Sequence, residues 1–327
     1  MKSKSEPQIF SPSEIQPELD ELVKTGIQRG AWIGFDSLRN LYSIKLGATT
    51  YLMGVPFSGK TEILFEILIN LSEFHGWKHC IYSPETGKKE EILSEIIHKY
   101  IQKPVYGKNK MSDQERYVGL AWAQEHFRII DDPDGKLKLD AFYDFVNEYE
   151  YKNNIKFQTT SIDPFNELMR DDGEKIEDFL NTRLSMVRRD AVKHNRHNFI
   201  VTHSRDIQAV IDPETKRRYF PAPLAHDFAG GQTWFRKGMG IVIAWRPPEF
   251  LRNENGENYK PNEVHIAVHK YKPKGTGSRG FTPLFYDSFQ GRYYERNNYA
   301  NNIFAHKETE KINNILIDFT EPNTPPF

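Results

Sequence analysis

Short, nearly continuous apolar runs alternate with longer amphipathic stretches along most of the chain, starting near residue 31. "ATTYLMGV" predicts a strand leading into a glycine loop. "KTEILFEILINLSEFHG" predicts a helix that is apolar on nearly every side and ends at Gly76. "HCIYSP" reads as a strand, and "KKEEILSEIIHKYIQK" carries apolar pairs at 92/93, 96/97 and 100/101, a helical stripe. Ser112 and Glu115 form a capping box that opens the next helix. "FRIID", "FQTTSID" and "NFIVTHS" read as further strands. Helices over "LDAFYDFVNEYEY" and "GEKIEDFLNTRLSMVRRDAVKHN" separate them.

Strands alternating with helices predict an α/β fold: a mostly parallel sheet with helices on both faces. After residue 205 the rhythm breaks. A long polar, glycine-bearing segment precedes three β-like runs, "GIVIAWR", "VHIAVHKYK" and "TPLFYDSFQGRYYE". Before the core, Ile15, Leu19 and Leu22 are spaced for a short amphipathic helix ending at Gly26. The expected organisation is an arm over 1–30, a core over 31–300 and a polar tail over 301–327.

A length of 327 residues fits one large α/β domain or two small ones. Hydrophobic residues at 38% and charged residues at 27% describe a soluble, globular chain. A net charge of −1 gives no global basic field, so nucleic-acid binding would rest on local cations. The single cysteine, Cys80, excludes an internal disulfide and suits a reducing compartment. No apolar run reaches the roughly 20 residues that span a bilayer. No apolar signal core follows "MKSKSEPQIF". A cytoplasmic protein without a membrane partner is the expectation.

The strongest chemical signal is Gly54-Val55-Pro56-Phe57-Ser58-Gly59-Lys60-Thr61, which fits G-x-x-x-x-G-K-[ST] between a strand and a helix. In such a loop, backbone N–H groups around Gly54, Pro56, Ser58 and Gly59 and the helix N-terminus hold phosphates. Lys60 reaches the β/γ-phosphates and the Thr61 hydroxyl takes Mg²⁺, so ATP and Mg²⁺ are the expected ligands. Glu85 follows a strand at the end where ligands gather in open parallel sheets. It either orients the attacking water or sits in the first turn of the next helix, where negative charge is favoured. Asp163 either holds Mg²⁺ through water or caps a helix that begins at Pro164, and the two roles are compatible. His203 ends another strand and either senses the γ-phosphate or is structural. Lys270, Lys272, Lys274 and Arg279 surround two glycines. They reach a phosphate on their own or a neighbouring subunit's nucleotide, or form a solvated basic hairpin.

In this order the motifs resemble the RecA-like motor domain of DnaB-family replicative helicases, on the branch with phage primase-helicases and Twinkle. The resemblance runs from about residue 29 to 295. It implies a RecA-like P-loop NTPase fold with a β-rich C-terminal part. It implies Glu85 of "YSPE" as catalytic glutamate, Asp163 of "SIDPFNEL" as Walker B aspartate and His203 of "VTHSRD" as γ-phosphate sensor. "LAHDFAGGQTW" is similar to the DNA-binding loop, which makes Gly230, Gly231 and Gln232 the strand-gripping candidates, with Lys216, Arg217 and Arg218 either adding charge or forming a solvated turn. Backbone grip suits a motor that must not read sequence.

The sequence departs from the family at its last motif, where "K.R" is Lys270-Tyr271-Lys272. Either Lys272 replaces the expected arginine finger, Arg279 reaches the site, or hydrolysis is slow, since lysine lacks the planar fork. No primase fits before residue 30, and the leading helix is expected to dock on an adjacent subunit. The implied function is an ATP-driven helicase motor moving on single-stranded DNA as a homo-oligomeric, hexameric ring. Replisome partners such as a primase, polymerase or loader go with it. The acids and terminal Phe327 of "LIDFTEPNTPPF" either dock on such a partner or form a disordered end. The alternatives are a RecA- or KaiC-type DNA-dependent ATPase without unwinding, and an ATP-binding accessory subunit without catalysis.

Overall fold

The computed structural model describes residues 8–171, 173–203, 207–228, 231–272, 277–296 and 301–306. Lys274, Gly230 and residues 307–327, with the docking tail, lie outside them. The chain enters through helix α1 (Gln16–Thr25), which has no buried residue; Ile15 just before it and Leu19, Leu22 and Val23 within it face solvent.

Strand β1 (Thr49–Gly54) is buried along its whole length. Helix α2 (Lys60–His75) follows, and Gly76 closes it at φ 67°. Then come β2 (His79–Tyr82), α3 (Lys89–Ile101), α4 (Asp113–His126), β3 (Phe127–Ile129), α5 (Leu139–Asn153), β4 (Thr159–Ile162), α6 (Ile176–His194) and β5 (His197–His203). Ser112 caps α4 as the sequence predicts: its hydroxyl accepts from Glu115 N at 3.2 Å, while the Glu115 carboxylate accepts from Ser112 N at 2.8 Å.

The polar segment after β5 is less irregular than its composition suggests. It holds a short hairpin of β6 (Val210–Ile211) and β7 (Arg218–Tyr219), then helix α7 (Gly231–Lys237). The chain ends its described part in β8 (Gly240–Trp245), β9 (Glu263–Lys270), β10 (Gly280–Asp287), β11 (Arg292–Arg296) and β12 (Asn302–Phe304). Because β12 pairs with β11, the sheet continues past residue 300.

One ten-stranded sheet runs in the order β12-β11-β10-β9-β8-β1-β5-β4-β2-β3. The six strands from β8 to β3 are parallel. The four from β9 to β12 alternate antiparallel. In the middle the sheet is covered on both faces. Leu52 joins Ile63, Ile67, Ile92 and Ile96 beneath α2 and α3, whereas Tyr51 and Met53 join Phe142, Leu184 and Trp234 beneath α5, α6 and α7. Double burial is why these strands read as apolar runs rather than alternations.

Helix α2 differs from the sequence reading in one respect. Its buried surface is not all apolar, for Glu66 and Asn70 are fully buried. Arg292 of β11, itself buried, donates through Nε to both Glu66 oxygens at 3.0 Å and through Nη2 to Asn70 Oδ1 at 2.5 Å. One turn earlier Glu62 pairs with the buried Lys99 at 2.5 Å and accepts from the Tyr286 hydroxyl at 3.0 Å. A polar stripe on α2 thus ties the helix behind the glycine loop to the antiparallel strands and to α3.

Candidate nucleotide and DNA site

The glycine loop leaves the C-terminal end of β1. Gly54 has no space for a side chain, since a Cβ there would lie 2.4 Å from Ser58 Oγ and 2.5 Å from the Ala244 carbonyl of β8. Gly59 sits at φ 89°, the left-handed region that favours glycine, and the Tyr293 hydroxyl donates to its carbonyl at 3.5 Å. The loop therefore wraps tightly, with N–H groups left for an anion at the start of α2. Lys60 is buried, and its ammonium donates to the Val55 carbonyl at 2.8 Å. Burial pushes its pKa down to about 8, although Asp163 and Glu85 pull the other way. Ser58 Oγ is buried without a hydrogen-bond partner among the described residues.

Three more strand ends meet this loop. Asp163 follows β4 and is fully buried; burial raises its pKa, while a hydrogen bond from Thr61 and the charge of Lys60 oppose the rise. Ser83, after β2, donates to Asp163 Oδ2 at 3.4 Å and shares a 2.6 Å hydrogen bond with Thr86. Glu85 lies in a single 3-10 turn over Pro84–Thr86, and its Oε2 meets His203 Nε2 at 2.8 Å. His203 Nδ1 is buried with no partner among the described residues. The neighbouring Thr202 hydroxyl donates to Asn166 Oδ1 at 3.2 Å.

The structural alternatives for two of these residues are corrected. Glu85 is not in the first turn of the next helix, because α3 starts only at Lys89. Asp163 does not cap a helix. A cis peptide joins it to Pro164, which is extended, and a 3-10 turn follows over Phe165–Glu167. Both carboxylates instead lie at the loop end of the sheet, beside Lys60.

The residues fit a nucleotide with Mg²⁺. Thr61 and the buried Asp163 offer two oxygens, and Mg²⁺ typically takes only one or two protein ligands beside phosphate and water. The buried, unpartnered hydroxyl of Ser58 and imidazole nitrogen of His203 suit polar oxygens arriving in the site. Among the described residues no cluster of three or more His, Cys, Asp or Glu would hold a metal without phosphate.

The basic candidates do not converge on this loop. Lys270 ends β9 rather than riding on a tip, and it is level with Ile241 at the start of β8. Gly54 lies beside Ala244, near the other end of β8. Three residue steps of about 3.3 Å already separate the two levels, and Lys272 lies further on. Arg279 precedes Gly280, which pairs with Val268, so it shares the distant end. Lys270 also donates to the Phe235 carbonyl of α7 and sits 4.6 Å from the Phe235 ring centre. Burial and the neighbouring Lys272, Arg188 and Arg279 lower its pKa.

Gln232 and Arg279 line one cleft of about 750 Å³ between α7 and strands β9 and β10. Gly231 begins α7, a helix the sequence pattern does not predict. Lys216, Arg217 and Arg218 lie elsewhere. Their hairpin packs beside the Trp245 end of β8, the end that Ala244 shares with Gly54; there Trp245 Nε1 donates to the Phe220 carbonyl at 3.1 Å and Arg217 stacks 4.2 Å over Phe250. Sequence reasoning missed Ser83, Asn166 and Tyr293. The first two flank "PET" and "DP" inside motifs that the sequence does show; Tyr293 has no signal of its own.

A P-loop, a carboxylate pair and a histidine stand at four adjacent strand ends of a RecA-like fold. Solved structures agree on the fold. A solved ATPase domain superposes with a TM-score of 0.68 at 15% identity, covering 88% of this chain and 99% of that one. A DnaB-like replicative helicase, solved for its interactions with primase, gives 0.67 at 15% identity, covering 89% and 68%. In sequence the chain is 28% identical over 301 residues to the Twinkle homolog protein, chloroplastic/mitochondrial, of Arabidopsis thaliana. The match takes in 87% of this chain and 39% of the length of that relative. No family model matches. The chain has the fold of these ATPase domains and is similar in sequence to the Twinkle homolog, the likeness that the order of its motifs implied. No helix among the described residues is long and apolar enough to cross a membrane.

Proposed function

We propose that the chain is an ATP-driven DNA helicase motor that moves on single-stranded DNA as a homo-oligomeric ring, with Mg·ATP between subunits. The observation that carries this reading is the split of the site. Lys60, Thr61, Glu85, Asp163 and His203 gather at one end of the sheet, while Lys270, Lys272 and Arg279 lie at the other. One chain therefore holds the nucleotide with Lys60 as the cation of its own loop, while the basic candidates Lys270, Lys272 and Arg279 lie away from it. A neighbour set head to tail brings its own copies of them to the nucleotide.

Glu85 serves as the base that orients water, His203 reports the γ-phosphate to the segment that follows it, and Asp163 with Thr61 holds Mg²⁺. Gly231, Gln232 and the adjoining loop grip the strand. A primase is the favoured further partner, by analogy with the DnaB-like helicase above. The test is ATPase activity with and without single-stranded DNA, run beside unwinding of a forked duplex. DNA-stimulated hydrolysis with unwinding is expected. Stimulation without unwinding would leave a RecA-type ATPase, and no hydrolysis by wild type would leave a non-catalytic subunit.

A further inference from the structure

Tyr293 reaches the phosphate loop from the antiparallel half of the sheet. It lies on β11, paired across the ladder with Tyr286 of β10, and is fully buried. Its hydroxyl meets the loop at one point, the Gly59 carbonyl, at 3.5 Å. The fit is close: a Cβ on Gly59 would lie 2.7 Å from the Tyr293 hydroxyl. Burial, and after it the charge of Glu62, pushes the phenol's pKa above its ordinary value, so the group stays a neutral donor.

Tyr293 is held in place by bonds that do not involve the loop. Its N–H donates to Glu66 Oε2 at 3.2 Å, and the neighbouring Arg292 grips the same carboxylate, two turns along α2 from Gly59. Tyr286 packs beside it with ring centres 5.1 Å apart, and its own hydroxyl donates to Glu62 at 3.0 Å. Strand β11 is therefore braced against α2, and the Tyr293 side chain extends from that brace to the start of the helix.

The bonded carbonyl belongs to a particular peptide unit. The Gly59 carbonyl and the Lys60 N–H share one planar trans amide, so they point in opposite directions and turn together. Gly59, at φ 89°, brings the conformational freedom of glycine to one side of that plane. Ile63 N donates to the same carbonyl at 2.9 Å as the first bond of α2. A second donor from β11 restrains the plane further and leaves the Lys60 N–H aimed out of the helix start, where a phosphate is received. Hydrogen bonding at the carbonyl also polarises the amide and strengthens its N–H as a donor.

We propose that Tyr293 is a positioning residue for the nucleotide: its hydroxyl holds the Gly59–Lys60 peptide so that the Lys60 N–H is preset for the phosphates. It acts through the peptide plane rather than by contact. Because the loop holds phosphate in the ground state and the transition state alike, the effect falls on binding rather than on the chemical step. The inference rests on the nucleotide reading above and not on the ring.

The test compares Tyr293→Phe with Tyr42→Phe in the full chain. Tyr42 is also fully buried, and its hydroxyl bonds Thr50 Oγ1 at 2.8 Å, at the end of β1 away from the loop. It controls for the general loss of a buried hydrogen bond, and phenylalanine keeps the ring in both variants. Tyr293→Phe should weaken binding of Mg·ADP, read by calorimetry well below the melting temperature, by about three- to tenfold. The KM for ATP should rise by a similar factor, with kcat within about twofold of wild type. Tyr42→Phe should show a comparable drop in melting temperature and leave both constants unchanged. Wild-type affinity in Tyr293→Phe, equal weakening in Tyr42→Phe, or a fall in kcat at unchanged KM would each overturn the proposal while leaving the nucleotide site in place. Failure of wild type to bind Mg·ADP would remove the site reading and the proposal with it.

Discussion

Glu85 Oε2 and His203 Nε2 are 2.8 Å apart, a hydrogen bond that reaches from the end of β2 over β4 to the end of β5. It couples the group that would activate water to the residue that leads into the polar segment before α7. Replacing Glu85 by Gln preserves size and hydrogen bonding but removes the base. Turnover should fall by about 10²–10⁴-fold while ATP binding persists. Wild-type turnover in that variant would remove Glu85 from its role.

Lys60 makes the nucleotide-free domain sensitive to alkaline pH. Below about pH 8 its ammonium is charged in both folded and unfolded chains, and the cost of burying it is fully present. Between about 8 and the ordinary 10.5 the folded chain gives up the proton first, so stability rises with pH across that window. The shift corresponds to about 3 kcal/mol, less about 1 kcal/mol for the bond to Val55. Nucleotide-free Lys60→Met should therefore be more stable than wild type by about 2 kcal/mol at pH 7, and the gap should close by pH 10. Thermal melts at both pH values check this; a variant that melts lower than wild type at pH 7 contradicts it.

Arg292 and Glu66 form a buried pair behind the phosphate loop. Arg292→Met leaves a buried carboxylate with Asn70 and the Tyr293 N–H as its partners among the described residues, and should cost about 3–5 kcal/mol. The double change Arg292→Met with Glu66→Leu should recover a large part of that loss. Urea midpoints of the two variants decide the point: if the double change is no better than the single, the pair is not the source of the effect.

Lysine at position 272 is a point charge where a forked guanidinium serves better in phosphoryl transfer. Lys272→Arg should raise DNA-stimulated kcat several-fold, with little change in KM. Lys272→Ala should lower it unless Arg279 already fills the position, in which case Arg279→Ala lowers it instead. Steady-state ATPase assays of the three variants distinguish these outcomes.

The α/β rhythm was legible because the central parallel strands are buried on both faces, as in "TTYLMG", and because Gly76 and the Ser112–Glu115 box punctuate the helices. The polar stripe on α2 was hidden by its surroundings. Glu66, Asn70 and Glu73 look like ordinary polar residues on a helix until Arg292, over 200 residues later, is placed against them, and Glu62 until Lys99 and Tyr286 are. Helix α7 escaped notice because seven residues opening on a glycine give too short a period, and Trp234 packs on Tyr51 and Phe165 through tertiary contacts. The gathering of Glu85, Asp163 and His203 followed from strand ends alone. The distance of Lys270 and Arg279 from them did not, because it depends on β9 running backwards.

That reversal has a consequence for mixtures of chains. In the proposed ring every subunit serves two nucleotides, one with its carboxylates and the other with its cations. A chain lacking Glu85 silences the site it owns. A chain lacking its cations keeps its own site competent and silences the one next door. Doping wild-type rings with the two kinds of defective subunit would then give activity curves with a shared loss per added chain, and a ring carrying both defects in one subunit would lose two sites at once. In that ring, the sheet's change of direction at a single strand would put each chain's carboxylates and its cations at the service of two different nucleotides.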